Sequence, residues 1–258
     1  MTRSAVKQQL DAIYQEDLDI PFLVDDPVQI PHRYELLQDV EITAFWTAML
    51  AWGQRKTIIN KATELFGLMD NAPYDFIVNL NDEKRKRLLD FKHRTFNATD
   101  TLYFLEVLHR WYNESESLED YFLVDGRFKA QSSLTRFHER FFADEFAPKR
   151  TRKHVATPAK NSACKRLCLF LKWMVRSDTK SGDIGVWKRI PKAELIIPVD
   201  VHVMNTSVAL GLVDRKQVNW KLASQLTDIL VTFDPLDPTK YDYPLFVYSR
   251  YTDMLITL

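Results

Sequence analysis

Two side chains of the 258-residue chain pair a reactive type with a placement that could tune it: Lys165 and Asp200. Asp200 follows the apolar run Leu195-Ile196-Ile197-Pro198-Val199 and precedes Val201, Met204 and Val208, a helical spacing closed by Gly211. Pro198 biases Ile197 towards extended backbone, so Asp200 stands where an N-cap belongs. Main-chain N–H groups and the helix dipole hold a carboxylate there ionised and oriented. Such a residue either caps the helix and does no more, or supplies a fixed negative charge to a reaction. Lys165 begins the polar side of the amphipathic stretch Ala163 to Arg176. A lysine becomes a nucleophile when desolvation or neighbouring cations lower its pKa, and Arg166 is one such neighbour. The plain alternative is a solvent-facing helical lysine. Gln54 sits in the turn AWGQRKT, flanked by Arg55 and Lys56, while His202 lacks an HxH or HExxH partner and reads as structural.

The elements that must position these residues read as helices nearly throughout. From Val40 to Leu68 apolar residues recur in steps of three and four, interrupted near Gly53-Gln54, which predicts two helices meeting at a tight turn. A helix is expected over Asp100 to Tyr112, capped by Asp100 or Thr99, and another over Ser132 to Phe142 with Leu134, Phe137, Phe141 and Phe142 inward. Residues 143–162 are proline-bearing, basic and poor in apolar side chains, and read as a loop or mobile strap. In Ala163 to Arg176, Cys164, Leu167, Cys168, Leu171, Met174 and Val175 share one side. Lys165, Lys172 and Arg176, at i, i+7 and i+11, take the other. Residues 177–192 form a second polar insertion, and Trp220 to Phe233 a last helix before the turn-rich FDPLDPTKYDYP. No strand of length and no internal repeat is visible, so the expected class is all-α, one domain over 1–258 with a basic loop–helix–loop insertion at about 145–192.

The formal charge of zero divides unevenly. Residues 145–192 hold 13 Lys/Arg against three acids, a balance of +10, which leaves −10 elsewhere. A concentrated basic segment is a footprint for a phosphate backbone; a solvated polar face or an acidic protein partner are its other readings. Only six glycines occur, and neither GxGxxG nor GxxxxGK[ST] is present, against a nucleotide-binding loop. The N-terminus lacks an apolar core and no run nears 18 apolar residues, so neither secretion nor membrane spanning is expected and a cytoplasmic setting is. Cys164 and Cys168 read as buried free thiols, too few for a four-thiolate zinc or iron–sulfur site.

The stretch EITAFWTAMLAWGQRKTIINKATELF resembles the first core helices of the helix-hairpin-helix DNA glycosylases of the endonuclease III class. IIPVDVHVMNTSVALGL is similar to that family's V-D-T-H-[IV]-x-R-[IV] segment, whose aspartate is catalytic and falls on Asp200. SACKRLCLFLKWMVR is similar to the nucleophile-bearing helix of the archaeal 8-oxoguanine glycosylase branch, which places the nucleophile on Lys165. The whole chain also resembles a bacterial family of proteins of unknown function, the DUF2400 type. The family hairpin L-P-G-[VI]-G-x-K-[ST]-A is replaced by the glycine-free TPAKNSACKRL, in which Asn161 best tolerates a left-handed turn. Asn205 stands where an Arg or Lys often follows the aspartate, and VYSRY lacks the glycine that closes the last core helix.

The resemblance implies a two-lobed helix-hairpin-helix fold acting, as a monomer, on duplex DNA with a damaged base. Lys165 would attack C1′ of a flipped nucleotide and nick the strand by β-elimination, while Asp200 stabilises the developing positive charge. Gln54 would fill the gap, and Arg55, Lys56, Lys160, Asn161, Ser162, Arg166, Lys172 and Arg176 would hold the DNA. Trp52, Phe170 and Trp173 are candidate stacking rings or core residues, and no metal or organic cofactor is called for. A non-catalytic nucleic-acid-binding module of this fold and a helical protein-interaction scaffold are the alternatives.

Overall fold

The computed structural model describes residues 2–15, 25–214 and 217–248. The chain is mostly helical. Its helices are α1 (Arg3–Gln15), α2 (Leu37–Leu50), α3 (Arg55–Gly67), α4 (Pro73–Val78), α5 (Asp82–Arg87), α6 (Ala98–Glu114), α7 (Glu119–Phe122), α8 (Ala130–Phe141), α9 (Lys165–Val175), α10 (Val201–Ala209) and α11 (Trp220–Phe233), with further helix at 242–248. Among the described residues the one sheet is a two-residue antiparallel pair, β1 (Ser177–Asp178) with β2 (Asp183–Ile184). No helix there is long and apolar enough to cross a membrane. The VYSRY segment from Ser249 onward lies outside the described residues.

α2 explains the centre of the fold. It is apolar on every side and buried from Val40 to Leu50, as a helix without a polar face must be. Its Phe45 ring meets Phe104 of α6, Phe137 and Phe141 of α8, and Phe170 of α9 at 5.4–6.0 Å. The buried carboxylate of this helix, Glu41, accepts from Tyr112 Oη (2.9 Å), Ser117 Oγ (2.5 Å), the Leu118 N–H (3.0 Å) and Trp187 Nε1 (2.6 Å). Those bonds satisfy a buried charge and tie α2 to α6 and to the 177–192 insertion. Burial still pushes the Glu41 carboxyl above its ordinary value, against these four donors. A second apolar cluster gathers Val6 and Leu10 of α1 with Ile197, Val199, Val203, Leu226, Leu230 and Leu245.

Three expectations change. α6 begins at Ala98 and its cap is Asn97, whose side chain accepts from the Thr99 N–H while Asp100 reaches back to the Asn97 N–H. Asp100 is thus the third helical residue of a capping box rather than the cap. Asn97→Ala is expected to lower stability by about 1 kcal/mol, read as a shifted urea midpoint at unchanged slope. The 143–162 segment is not a mobile strap: Thr151, His154, Val155, Thr157 and Pro158 are buried. Its anchor is Asp100, which accepts from Thr151 Oγ1 at 2.7 Å and pairs with Arg150. The 177–192 insertion also packs inward, burying Asp183, Trp187 and Ile190.

Candidate active site

The site forms where α9 starts. Thr157 caps the short 3-10 turn Pro158–Lys160, and Asn161 then adopts the left-handed conformation (φ 56°) expected of it. Cys164 is left-handed as well (φ 50°), a conformation that costs an ordinary residue about 1 kcal/mol or more. The bend therefore does without glycine by using two non-glycine residues. It is held by the Trp220 N–H, which donates to Asn161 O at 3.1 Å, and by Ser162 Oγ, which accepts from the Cys164 N–H. Burial pushes the Cys164 thiol up to about 12, so it is inert rather than nucleophilic. The bend aims Lys165 across to α10.

Lys165 Nζ lies 2.8 Å from Asp200 Oδ2, 35 positions away in sequence. Asp200 caps α10 at the same time, its Oδ1 accepting from the Val203 N–H at 2.9 Å. Capping thus occupies one oxygen of Asp200 and leaves the other facing the lysine. Burial pushes the Asp200 carboxyl up, but Lys165, the Val203 N–H and His202 outweigh it and hold it below its ordinary value. The ordinary aspartate stays ionised where a positive charge could develop.

The pair opens on a cleft of about 850 Å³ whose walls come from both apolar clusters. Trp52 lies in one wall, with the Arg166 guanidinium 5.0 Å from its ring, His154 stacked at 5.5 Å and His93 edge-on at 4.7 Å. Trp173 is 2% exposed but contributes to the wall, whereas Phe170 belongs wholly to the core. His202, read as structural, is exposed and lines the cleft. Gly53 beside the cleft takes φ +109°, which is why the AWGQ turn needs glycine; a Cβ there would otherwise meet only the movable tip of Arg94, its Nη1 at 2.5 Å.

The expected DNA-contact residues separate into three groups. Gln54, Lys56, Lys160 and Asn161 are exposed, and Ser162 lies on the cleft wall. Arg55 pairs with Asp26 at 3.3 Å and stacks over Phe246 at 4.6 Å. Arg166, Lys172 and Arg176 are turned inward. Arg166 donates to Met49 O and Lys153 O, both at 2.8 Å, and burial lowers its pKa to about 10. Lys172 and Arg176 have side chains 5% and 2% exposed, enclosed by Asp178, Asp183, Asp237 and Asp242. They cannot reach a phosphate backbone.

The basic block is accordingly not a free surface. Arg150 turns to Asp100 and Arg189 to Glu119 and Asp120, acids that lie outside the 145–192 window. Lys149, Lys153 and Lys160 remain exposed, with no ion pair among the described residues. Asp242, which lines the cleft and bonds Lys172, sits in what read as a turn-rich connector, where the run Tyr241-Asp242-Tyr243 gave no signal of a site. Among the described residues no three His, Cys, Asp or Glu side chains converge as a metal-binding group.

One family model, described as a protein of unknown function (DUF2400), matches residues 26–250. The chain belongs to the DUF2400 family. No curated protein and no solved structure matches it. The matched span of this DUF2400 chain holds Trp52, Lys165, Asp200 and Asp242, so the whole cleft lies within the family's common region.

Proposed function

We propose that the cleft receives a nucleotide flipped out of duplex DNA, and that Lys165 and Asp200 excise its damaged base. The observation that carries this reading is the 2.8 Å contact between a lysine amine and a capped carboxylate at one cleft. Two residues read as nucleophile and electrostatic partner could as easily have fallen on opposite faces. Attack needs the free amine, so the proton that Lys165 shares with Asp200 must first leave the lysine; Asp200 is the acceptor within hydrogen-bond reach, and it passes the proton on to solvent at the open cleft, so that it is a carboxylate again before the glycosidic bond breaks. The Nζ–C1′ bond then forms as the glycosidic bond breaks, and the positive charge that develops on the sugar faces the Asp200 carboxylate. The resulting Schiff base permits β-elimination and a nick. Trp52, with Arg166 over its ring, gives the cleft an apolar wall for a flipped base, and exposed Gln54 stands beside Gly53 to fill the vacated position.

The DNA grip that goes with this reading is narrower than the charge of residues 145–192 suggests. Among the described residues Lys56, Arg94, Lys153 and Lys160 are exposed cations around the cleft. Four phosphate contacts give a log–log salt slope of about −4, far from what 13 cations would give. The test is a panel of duplexes carrying single damaged bases, 8-oxoguanine among them, scored for base release and for affinity against salt. Release of one base with a shallow slope is expected. Salt-dependent binding without release from any duplex would favour a non-catalytic nucleic-acid-binding module, and absence of binding at low salt a protein-interaction scaffold.

A further inference from the structure

Beneath Lys165 and Asp200 the cleft floor ends in a group of charges that does not balance. Lys172 Nζ is shared between Asp183 Oδ1 at 3.1 Å and Asp242 Oδ2 at 3.2 Å. Arg176 is divided among Asp178, Asp183 and Asp237. Four carboxylates thus lean on two enclosed cations, with half-exposed Lys192 reaching only the outer edge of Asp237 at 3.9 Å. An enclosed cluster with that excess of negative charge takes up protons, because each uncompensated ion in a low-dielectric site costs several kcal/mol.

The geometry also says which carboxylate carries the proton. Asp178 accepts from the Lys180 N–H, Tyr14 Oη and Ser181 Oγ besides its pair with Arg176, which keeps it ionised. Asp237 takes the Nε–H of Arg176 at 2.8 Å, a donor it shares with no other carboxylate. Asp183 touches both cations and Ser181. Asp242 has one shared ammonium, and the carboxylates of Asp183 and Asp200 both act on it. It is also the member that lines the cleft, with its side chain 17% exposed.

We propose that Asp242 is a second catalytic residue of this cleft: it holds a proton in the resting protein and passes it to the base nitrogen that departs from C1′. The inference rests on the glycosylase reading above. In the step, the Lys165 amine forms its bond to C1′, the glycosidic electron pair goes to the base nitrogen, and the Asp242 carboxyl proton follows it there. As the Schiff base forms, the C1′–O4′ bond breaks and the ring oxygen takes the proton that the secondary ammonium on Lys165 gives up, while the Asp242 carboxylate regains its proton from solvent. Burial pushes the Asp242 carboxyl up, Lys172 opposes this, and Asp183 and Asp200 push it further. Asp200 is held down in the same cleft. The two carboxyls of the cleft are thus pushed in opposite directions, the division into acid and carboxylate that acid-assisted bond cleavage uses. The groups facing Asp242 are Lys172 and Cys168 from α9, Asp183 from β2 and Asp200 from the start of α10.

Two substrates separate this role from a structural one. An abasic duplex has no base to protonate, whereas a damaged-base duplex does. Wild-type protein and Asp242→Asn are compared on an abasic duplex, by borohydride trapping, and on the damaged-base panel including 8-oxoguanine, by base release. Asp242→Asn should trap the abasic site at the wild-type rate while base release falls by ~10²-fold or more, as expected for loss of a general acid. Asp242→Glu, which restores a carboxyl proton, should recover part of the release. Wild-type release should fall as pH rises through the raised Asp242 value, and that limb should be missing in Asp242→Asn. Base release at the wild-type rate in Asp242→Asn overturns the proposal, as does parallel loss of both reactions or persistence of the limb. Wild-type protein that traps the abasic site but releases no base of the panel overturns it too, with Lys165 chemistry left standing. Failure of wild type on both substrates removes the glycosylase reading itself.

Discussion

Lys165→Gln should abolish borohydride trapping and strand nicking, with activity down by several orders of magnitude, while leaving the fold in place. The Lys165 amine is the one that meets the capped carboxylate across the cleft, and glutamine keeps a polar side chain, one atom shorter, without the nucleophile. The structural consequences are small because Lys165 is 38% exposed and its pair with Asp200 stands at the surface of the cleft. Asp200 keeps its bond from the Val203 N–H, so the α10 cap survives. One side effect has a definite sign. The stability that Asp200 contributes is fully present above the ordinary aspartate range and is lost as pH falls through its lowered value. Removing Lys165, the leading cause of that lowering, moves the loss to higher pH. Asp200→Asn makes the complementary test, since asparagine caps a helix as well as aspartate does and only the charge goes.

The second large effect is on stability. Arg176→Met should lower stability by about 3–5 kcal/mol, the range found when one partner of a buried ion pair is removed. For a chain of this size that is a melting temperature lower by roughly 10 °C. The guanidinium bonds Asp237 at 2.8 Å, Asp178 at 3.1 Å and Ser181 Oγ at 3.2 Å, and pairs with Asp183. Burial pushes its pKa down, but Asp183, Asp237 and Asp178 more than reverse this. Methionine leaves three enclosed carboxylates without their common cation. A thermal melt in parallel with a DNA-binding titration at a temperature where the variant stays folded checks both halves. A phosphate contact at Arg176 would instead weaken binding and spare the melting temperature.

That contrast marks where the sequence was readable. Trp220 to Phe233 forms a helix with the bounds its periodicity predicts, and the break at Gly53-Gln54 falls between α2 and α3, because local spacing and a φ > 0 turn decide both. Asp200 is the cap that Pro198 and the following apolar steps suggest. The i+7 and i+11 places of Lys172 and Arg176 say only that they share a side of α9. What stands opposite comes from Asp183 in a polar insertion and from Asp237 and Asp242 more than 60 residues on, so burial was invisible to periodicity. The 145–192 charge excess misled for the same reason: its balancing acids, Asp100, Glu119, Asp120, Asp237 and Asp242, are distant in sequence and adjacent in space. Trp52 gained its place in the cleft wall from His93, His154 and Arg166, three contacts that no local pattern encodes.

The central claim is that the Lys165–Asp200 pair is a nucleophilic centre acting on a sugar carbon. Its most direct test is to reduce wild-type protein with borohydride in the presence of an abasic duplex, digest the product and locate the DNA remnant by mass spectrometry. A single adduct on the Lys165 Nζ is the predicted result. An adduct on another lysine or on the amino terminus, or none under conditions where the protein is bound to the duplex, would contradict it.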